Sequence, residues 1–142
     1  MSGPQTERRD PPAAAPTLRV ARPANDLAAL ERFYVDGAGL RRLTSFEDHA
    51  GFSGVILGHP GASWHLELVR EAGTVAPRAP SPECLLVLYL PEARDWAVAV
   101  DRMTAHGYEP VPSHNPYWDA AGRTFEDPDG YRLVFQNRPW TL

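Results

Sequence analysis

The chain has a single cysteine, no lysine and no long apolar run, and each shortage excludes something. Cys84, alone among 142 residues, cannot form an internal disulfide, and a zinc site of four thiolates is impossible. Because it opens an apolar run, a buried, inert thiol is expected there rather than a nucleophile. No stretch reaches the ~18 apolar residues of a membrane span, and the residues after Met1 lack the apolar core of a signal peptide. No membrane partner is expected, and the location expected by default is cytoplasmic. A formal charge of −4 gives no reason to approach a phosphate backbone, so nucleic acid is not an expected partner either. All 14 basic residues are arginine, a compositional bias that also suits bidentate contact with carboxylates.

What is present is apolar material for one hydrophobic core, in a chain too short for two. Residues 1–17, with four prolines and no periodicity, read as a flexible tail before a single domain covering 18–142. Leu18 to Arg22 is a short strand. Asn25 and Asp26 offer capping to a helix in which Leu27, Leu30, Phe33 and Tyr34 recur at helical spacing, and Gly37 and Gly39 stop it. Strands at 41–46, 52–57 and 64–69 follow, and then a Pro/Ala-rich linker over 72–82. After the linker, LLVLYL is an apolar strand, and Trp96, Ala99, Val100 and Met103 mark a helix closed by Gly107. A short strand at 108–111, a loop carrying SHNPYWDAAG, and strands at 123–126 and 131–136 complete the chain.

The order strand, helix, three strands thus occurs twice, in modules 18–71 and 83–137. Two such units can each lay one sheet face on helices and curl the other around a cavity. The expected fold is α+β, two βαβββ modules forming a curved mixed sheet.

Several stretches resemble one known group. They are Asn25-Asp26-Leu27 with Phe33-Tyr34, Gly39-Leu40, HLEL at 65–68, HGY at 106–108 and GRTFEDPDGYRLVFQN at 122–137. Together they resemble the vicinal oxygen chelate superfamily of glyoxalases, bleomycin-resistance proteins and ring-cleaving dioxygenases. The resemblance implies a glyoxalase-like fold. In metal-using members it also implies His or carboxylate ligands from the first and last strand of each module, converging at ~2.0–2.2 Å on a divalent ion. The matching positions here carry Arg19, Glu67, Leu85 (or Val87 in the shifted register) and Val134. Arginine has no lone pair to give, and neither LLVLYL nor YRLVFQN contains His, Asp or Glu. Glu67 is left, with His65 on the same face and Gln136 as a weak oxygen donor. No metal and no cofactor is therefore expected.

In place of the metal, Arg19 and Glu67 are expected to face one cavity from neighbouring strands and to pair, serving a ligand or bracing the wall. The same alternation turns His65, Arg132 and Gln136 inward with Val87 and Tyr89. An inward Arg132 would favour an anionic ligand, whereas an outward one is a rim residue. His114, Tyr117 and Trp118 lie on a segment stiffened by Pro112 and Pro116, placed to form an aromatic lid or to plug the end of the sheet. His114 is a candidate general base with no recognisable nucleophile beside it. Asp48, His49, His59 and His106 fall at turns and read as surface or capping residues. These features favour the binding of a small organic molecule without metal, and the resemblance implies a homodimer, paired as in the superfamily. The alternative is an enzyme of lyase, isomerase or dioxygenase type, with acid–base groups among His65, Glu67 and His114 or with an unusual metal site.

Overall fold

The computed structural model describes residues 14–141, so most of the expected tail lies outside the described residues. The elements in chain order begin with β1 (Leu18–Pro23), α1 (Leu27–Glu31) continuing as a π-helical turn (Arg32–Gly37), β2 (Arg41–His49), β3 (Phe52–Gly58) and β4 (Trp64–Glu71). They continue with β5 (Leu85–Tyr89), α2 (Ala93–Ala105), α3 (Tyr117–Ala120), β6 (Gly122–Glu126) and β7 (Arg132–Gln136). One sheet runs β1-β4-β3-β2 and the other β5-β7-β6. In both, the opening strand pairs parallel with the last, β1 with β4 and β5 with β7. The remaining pairs are antiparallel, so the fold is mixed α+β with a repeated module.

Local chemistry explains the elements. Asp26 caps α1 by accepting from the Ala29 N–H at 3.0 Å. The chain leaves the π-helical turn through Gly39 at φ +80°, a left-handed conformation that glycine adopts without strain. Alternate strand residues, Val55 and Leu57, Leu66 and Leu68, Leu133 and Phe135, are buried with Leu30, Phe33, Tyr34 and Met103 in one core. Each sheet therefore lays one face on the helices and turns the other away, and the second is called the open face below.

Two expectations for the second module are corrected. Residues 108–111 form no strand, only a bridge from Val111 to Thr124, so that sheet has three strands. Pro110 and Pro112 flank Val111 and cannot donate to a ladder. SHNPYWDAAG is not all loop, since the Asn115 and Pro116 carbonyls accept from the N–H groups of Trp118 and Asp119 and start α3. Cys84, expected to be buried, is half-buried.

A buried joint ties the modules together. The Tyr34 hydroxyl donates to Asp127 Oδ2 at 2.6 Å, while Asp127 Oδ1 accepts from the N–H groups of Asp129 at 2.8 Å and Tyr131 at 3.0 Å. Arg22 sits 4.2 Å from the centre of the Tyr131 ring and donates to the Tyr34 oxygen at 3.5 Å. The linker is fastened to the same region: Asn25 exchanges two hydrogen bonds with Ala76, and the Ala79 N–H donates to the Asp129 carbonyl. Burial pushes the Asp127 carboxyl above its usual range, against the Tyr34 and backbone hydrogen bonds that lower it. Tyr34 is pushed well above the ordinary phenol value, by burial first and by Asp127 second. Among the described residues, no helix is long and apolar enough to cross a membrane.

Tyr34→Phe strands a buried acceptor, so it should cost about 1–3 kcal/mol in urea denaturation, and an unchanged midpoint would contradict the joint. Because the native state holds the Asp127 proton more tightly than the unfolded chain, its contribution is fully present below the unfolded value and is lost as pH rises through the native one. The stability of wild type minus that of Asp127→Asn should therefore fall from about pH 3.9 upward and level off above the native value. A difference that grows with pH would contradict the assignment.

Candidate functional site

In the parallel register of β1 with β4, Arg19 lies opposite His65 and Ala21 opposite Glu67. Leu66 and Leu68 point to the helices, so His65, Glu67 and Val69 share the open face with Arg19 and Ala21. There Arg19 Nε donates to His65 Nε2 at 2.8 Å and Nη1 to Glu67 Oε2 at 3.4 Å. An imidazole accepting on Nε2 carries its proton on Nδ1. The side chains of Arg19 and Glu67 are 47% and 16% exposed. An ion pair this open contributes only about 0–1 kcal/mol, so bracing the sheet is a weak reason for it.

An apolar cleft of about 280 Å³ adjoins this polar stripe on the open face, lined by Ala21, Pro23, Phe52 and Val69 and by linker residues Val75 and Pro77. Another, of about 200 Å³, opens between β1 and β5 on the helix-facing side, among Leu18, Val20, Leu66, Leu86 and Leu88, and touches His65. Each falls below the ~300–1,000 Å³ of drug-sized sites, so a ligand confined to one of them is small.

The open face of the second sheet is filled by its own chain. Residues 112–121 cross it, held by the Ser113 and Thr124 hydroxyls at 2.6 Å, by Ser113 N–H to Asp119 Oδ1 at 3.1 Å and by Asn137 N–H to the Ala121 carbonyl at 2.7 Å. Beneath them Val134 is 0% and Gln136 1% exposed. Gly122 lies opposite Gln136, and a Cβ there would strike the Trp118 carbonyl and approach Gln136 Oε1 to 2.6 Å.

The expected site residues separate accordingly. Arg19, His65 and Glu67 form one cluster, and Gln136 lies apart from it in the second sheet, packed on Gly122. Val134, which matches the position of a metal ligand, is core beneath the covering segment. Arg132 does not offer its charge to an anion: it donates to Glu126 at 3.3 Å and to the Pro112 carbonyl at 3.2 Å. Tyr89 packs near Trp140, Tyr117 stands edge-on to Trp118 and is largely exposed, and His114 is exposed. Ser113, Thr124 and Gly122 were missed. The legible signal was a glycine two residues before a strand threonine, in the strand that had to face Gln136.

Residues 18–69 match the YycE-like N-terminal domain and residues 83–137 the YycE-like C-terminal domain. The uncharacterised protein YycE of Bacillus subtilis (strain 168) is 44% identical over 124 residues, 87% of this chain and 88% of its own. The chain belongs to the YycE-like family. The crystal structure of a Bacillus subtilis YycE protein superposes with a TM-score of 0.79 at 43% identity, over 87% of this chain and 90% of that one. Its function is described as unknown, with glyoxalase/fosfomycin resistance given as its candidate class. Leishmania major glyoxalase I matches at TM-score 0.68 and 19% identity over 88% of each chain. An antibiotic-binding protein from Streptomyces sp. CB03234 matches at 0.58 and 22%, over 87% of this chain and 95% of that one. At those identities the last two show the fold alone, a glyoxalase-like one.

In this YycE-like chain the superfamily's metal does not fit. Glu67 stands opposite Ala21 and Val134 opposite Val87, so Leu85, two residues before Val87, occupies the place equivalent to Arg19. Of Arg19, Glu67, Leu85 and Val134, only Glu67 can ligate. Among the described residues no group of three or more His, Cys, Asp or Glu side chains is placed to hold an ion.

Gly122→Ala should cost about 1–3 kcal/mol, since its methyl group collides with a backbone carbonyl that cannot yield without lifting the segment. Unchanged urea denaturation would show that 112–121 does not rest on Gly122.

Proposed function

We propose that this YycE-like protein binds a small organic molecule on the open face of its first sheet, at Arg19, His65 and Glu67, without the superfamily's divalent metal. The observation that carries this reading is Arg19 reaching both His65 and Glu67, at the position where the superfamily resemblance implies a metal ligand. Glu67 compensates the guanidinium, which makes the stripe polar yet neutral overall. The remaining N–H groups of Arg19 and the Nδ1–H of His65 suit a carbonyl or hydroxyl oxygen. A neutral, oxygen-bearing molecule with an apolar body is therefore the favoured class, its body resting in the cleft beside Ala21, Pro23 and Val69. The antibiotic-binding relative supports a scaffold that holds small molecules. The lone pair of His65 Nε2 is engaged by Arg19, which disfavours it as a general base and with it the metal-free enzyme reading. Pairing of two copies belongs to the same proposal, supported by the sheet edges at β1 and β5 and by Leu18 on β1, which is 60% exposed.

A thermal-shift screen tests the site. Compounds that raise the wild-type Tm should lose that effect in Arg19→Ala, whose own Tm should move by no more than ~4 °C because the open ion pair adds so little. Ni(II), Zn(II), Mn(II) and Fe(II) should stabilise neither protein. A shift that survives Arg19→Ala, or strong stabilisation by one of these metals, would overturn the proposal.

A further inference from the structure

Gln136 is the one buried side chain of the open faces whose whole hydrogen-bonding capacity is idle among the described residues. It is 1% exposed, and neither Oε1 nor Nε2 has a partner. A carboxamide offers two donors and an acceptor, and leaving it unpaired in the interior is unfavourable enough that native proteins rarely do so. The side chain lies on the face kept clear by Gly122, beside Val134, and the Trp118 carbonyl also packs on that glycine. What shuts it in is residues 112–121, whose anchors to the sheet are one hydroxyl pair, the Arg132 contact to Pro112 and, at the segment's end, the Asn137 N–H to the Ala121 carbonyl, beside bonds internal to the segment.

We propose that residues 112–121 cover a second binding subsite, in which the Gln136 carboxamide recognises a neutral planar carboxamide or lactam once that segment lifts. With the segment raised, water satisfies Gln136, so the idle amide penalises the closed form alone. A ligand presenting a donor and an acceptor side by side pairs with both ends of the carboxamide. Its ring would rest on Val134 and on Val87, the residue opposite it in β5. A carboxylate ligand is disfavoured, because Arg132, the cation in this sheet's open face, is already committed to Glu126 and Pro112. The subsite extends the binding face proposed above but does not use Arg19.

Two measurements on the full chain test it. In nitrogen-edited NMR, benzamide should shift the Gln136 side-chain amide and the Thr124 and Trp118 backbone signals, and Gln136→Met should abolish the shifts at Thr124 and Trp118. In a Cys84→Ser background, Val134→Cys should be alkylated by iodoacetamide at a rate independent of low urea, which reports local opening. Adding Gln136→Met should slow that labelling about tenfold, because the closed form no longer buries an idle amide. Absence of the benzamide shifts, or labelling that Gln136→Met leaves unchanged or accelerates, would overturn the subsite. Since neither readout uses Arg19, its failure and that of the first-sheet proposal are separable.

Discussion

Asp127 carries the contact on which the arrangement of both modules depends. Its carboxylate closes the Asp127–Gly130 turn through two backbone N–H groups and accepts the hydroxyl of Tyr34 from the first module's helix. Arg22, one strand over, completes the contact by lying against Tyr131. A single buried acid thus fixes the entry of β7, the seat of α1 and its π-helical turn, and the end of β1. These are the elements that orient both open faces. Burying a carboxylate is unfavourable, as its raised pKa records, and three hydrogen bonds offset that cost.

From that joint outward the two modules use the same architecture differently. The superfamily resemblance implies metal ligands at four positions shared between the sheets, and three of them here carry Arg19, Leu85 and Val134. Once Val134 is apolar, nothing holds the second open face clear, and residues 112–121 settle on it. The first open face has no such cover: eight of the nine residues of β2 are exposed, and Arg19 spans His65 and Glu67 in the open. One half is left available to a ligand, while the other is closed over an unpaired amide.

Much of this was legible in the residues. The Asp26 cap, the alternation that buries Leu66 and Leu68, the repeated strand–helix order and the pairing of Arg19 with Glu67 all follow from local rules of spacing and charge. What was hidden required knowledge of distant neighbours. The π-helical turn at Arg32–Gly37 leaves the same apolar spacing as an α-helix over so short a run. The lost strand at 108–111 was signalled by Pro110 and Pro112, and the aromatic and β-branched residues at 108 and 111 masked that signal. That Val134 lacks a carboxylate was plain, but that it is buried depends on Gly122 admitting the Trp118 carbonyl, a contact between elements that no periodicity encodes.

The claim at the centre of this account is that an arginine, held by His65 and Glu67, stands where the superfamily resemblance implies a metal ligand. Its most direct test is the Nε–H signal of Arg19 in a nitrogen-edited NMR spectrum as Mn(II) is added, because the ion's unpaired electrons broaden nearby protons. The account predicts that the Arg19 and Glu67 signals stay as sharp as those of the remote core through equimolar metal. Selective broadening at Arg19, His65 and Glu67 would contradict it.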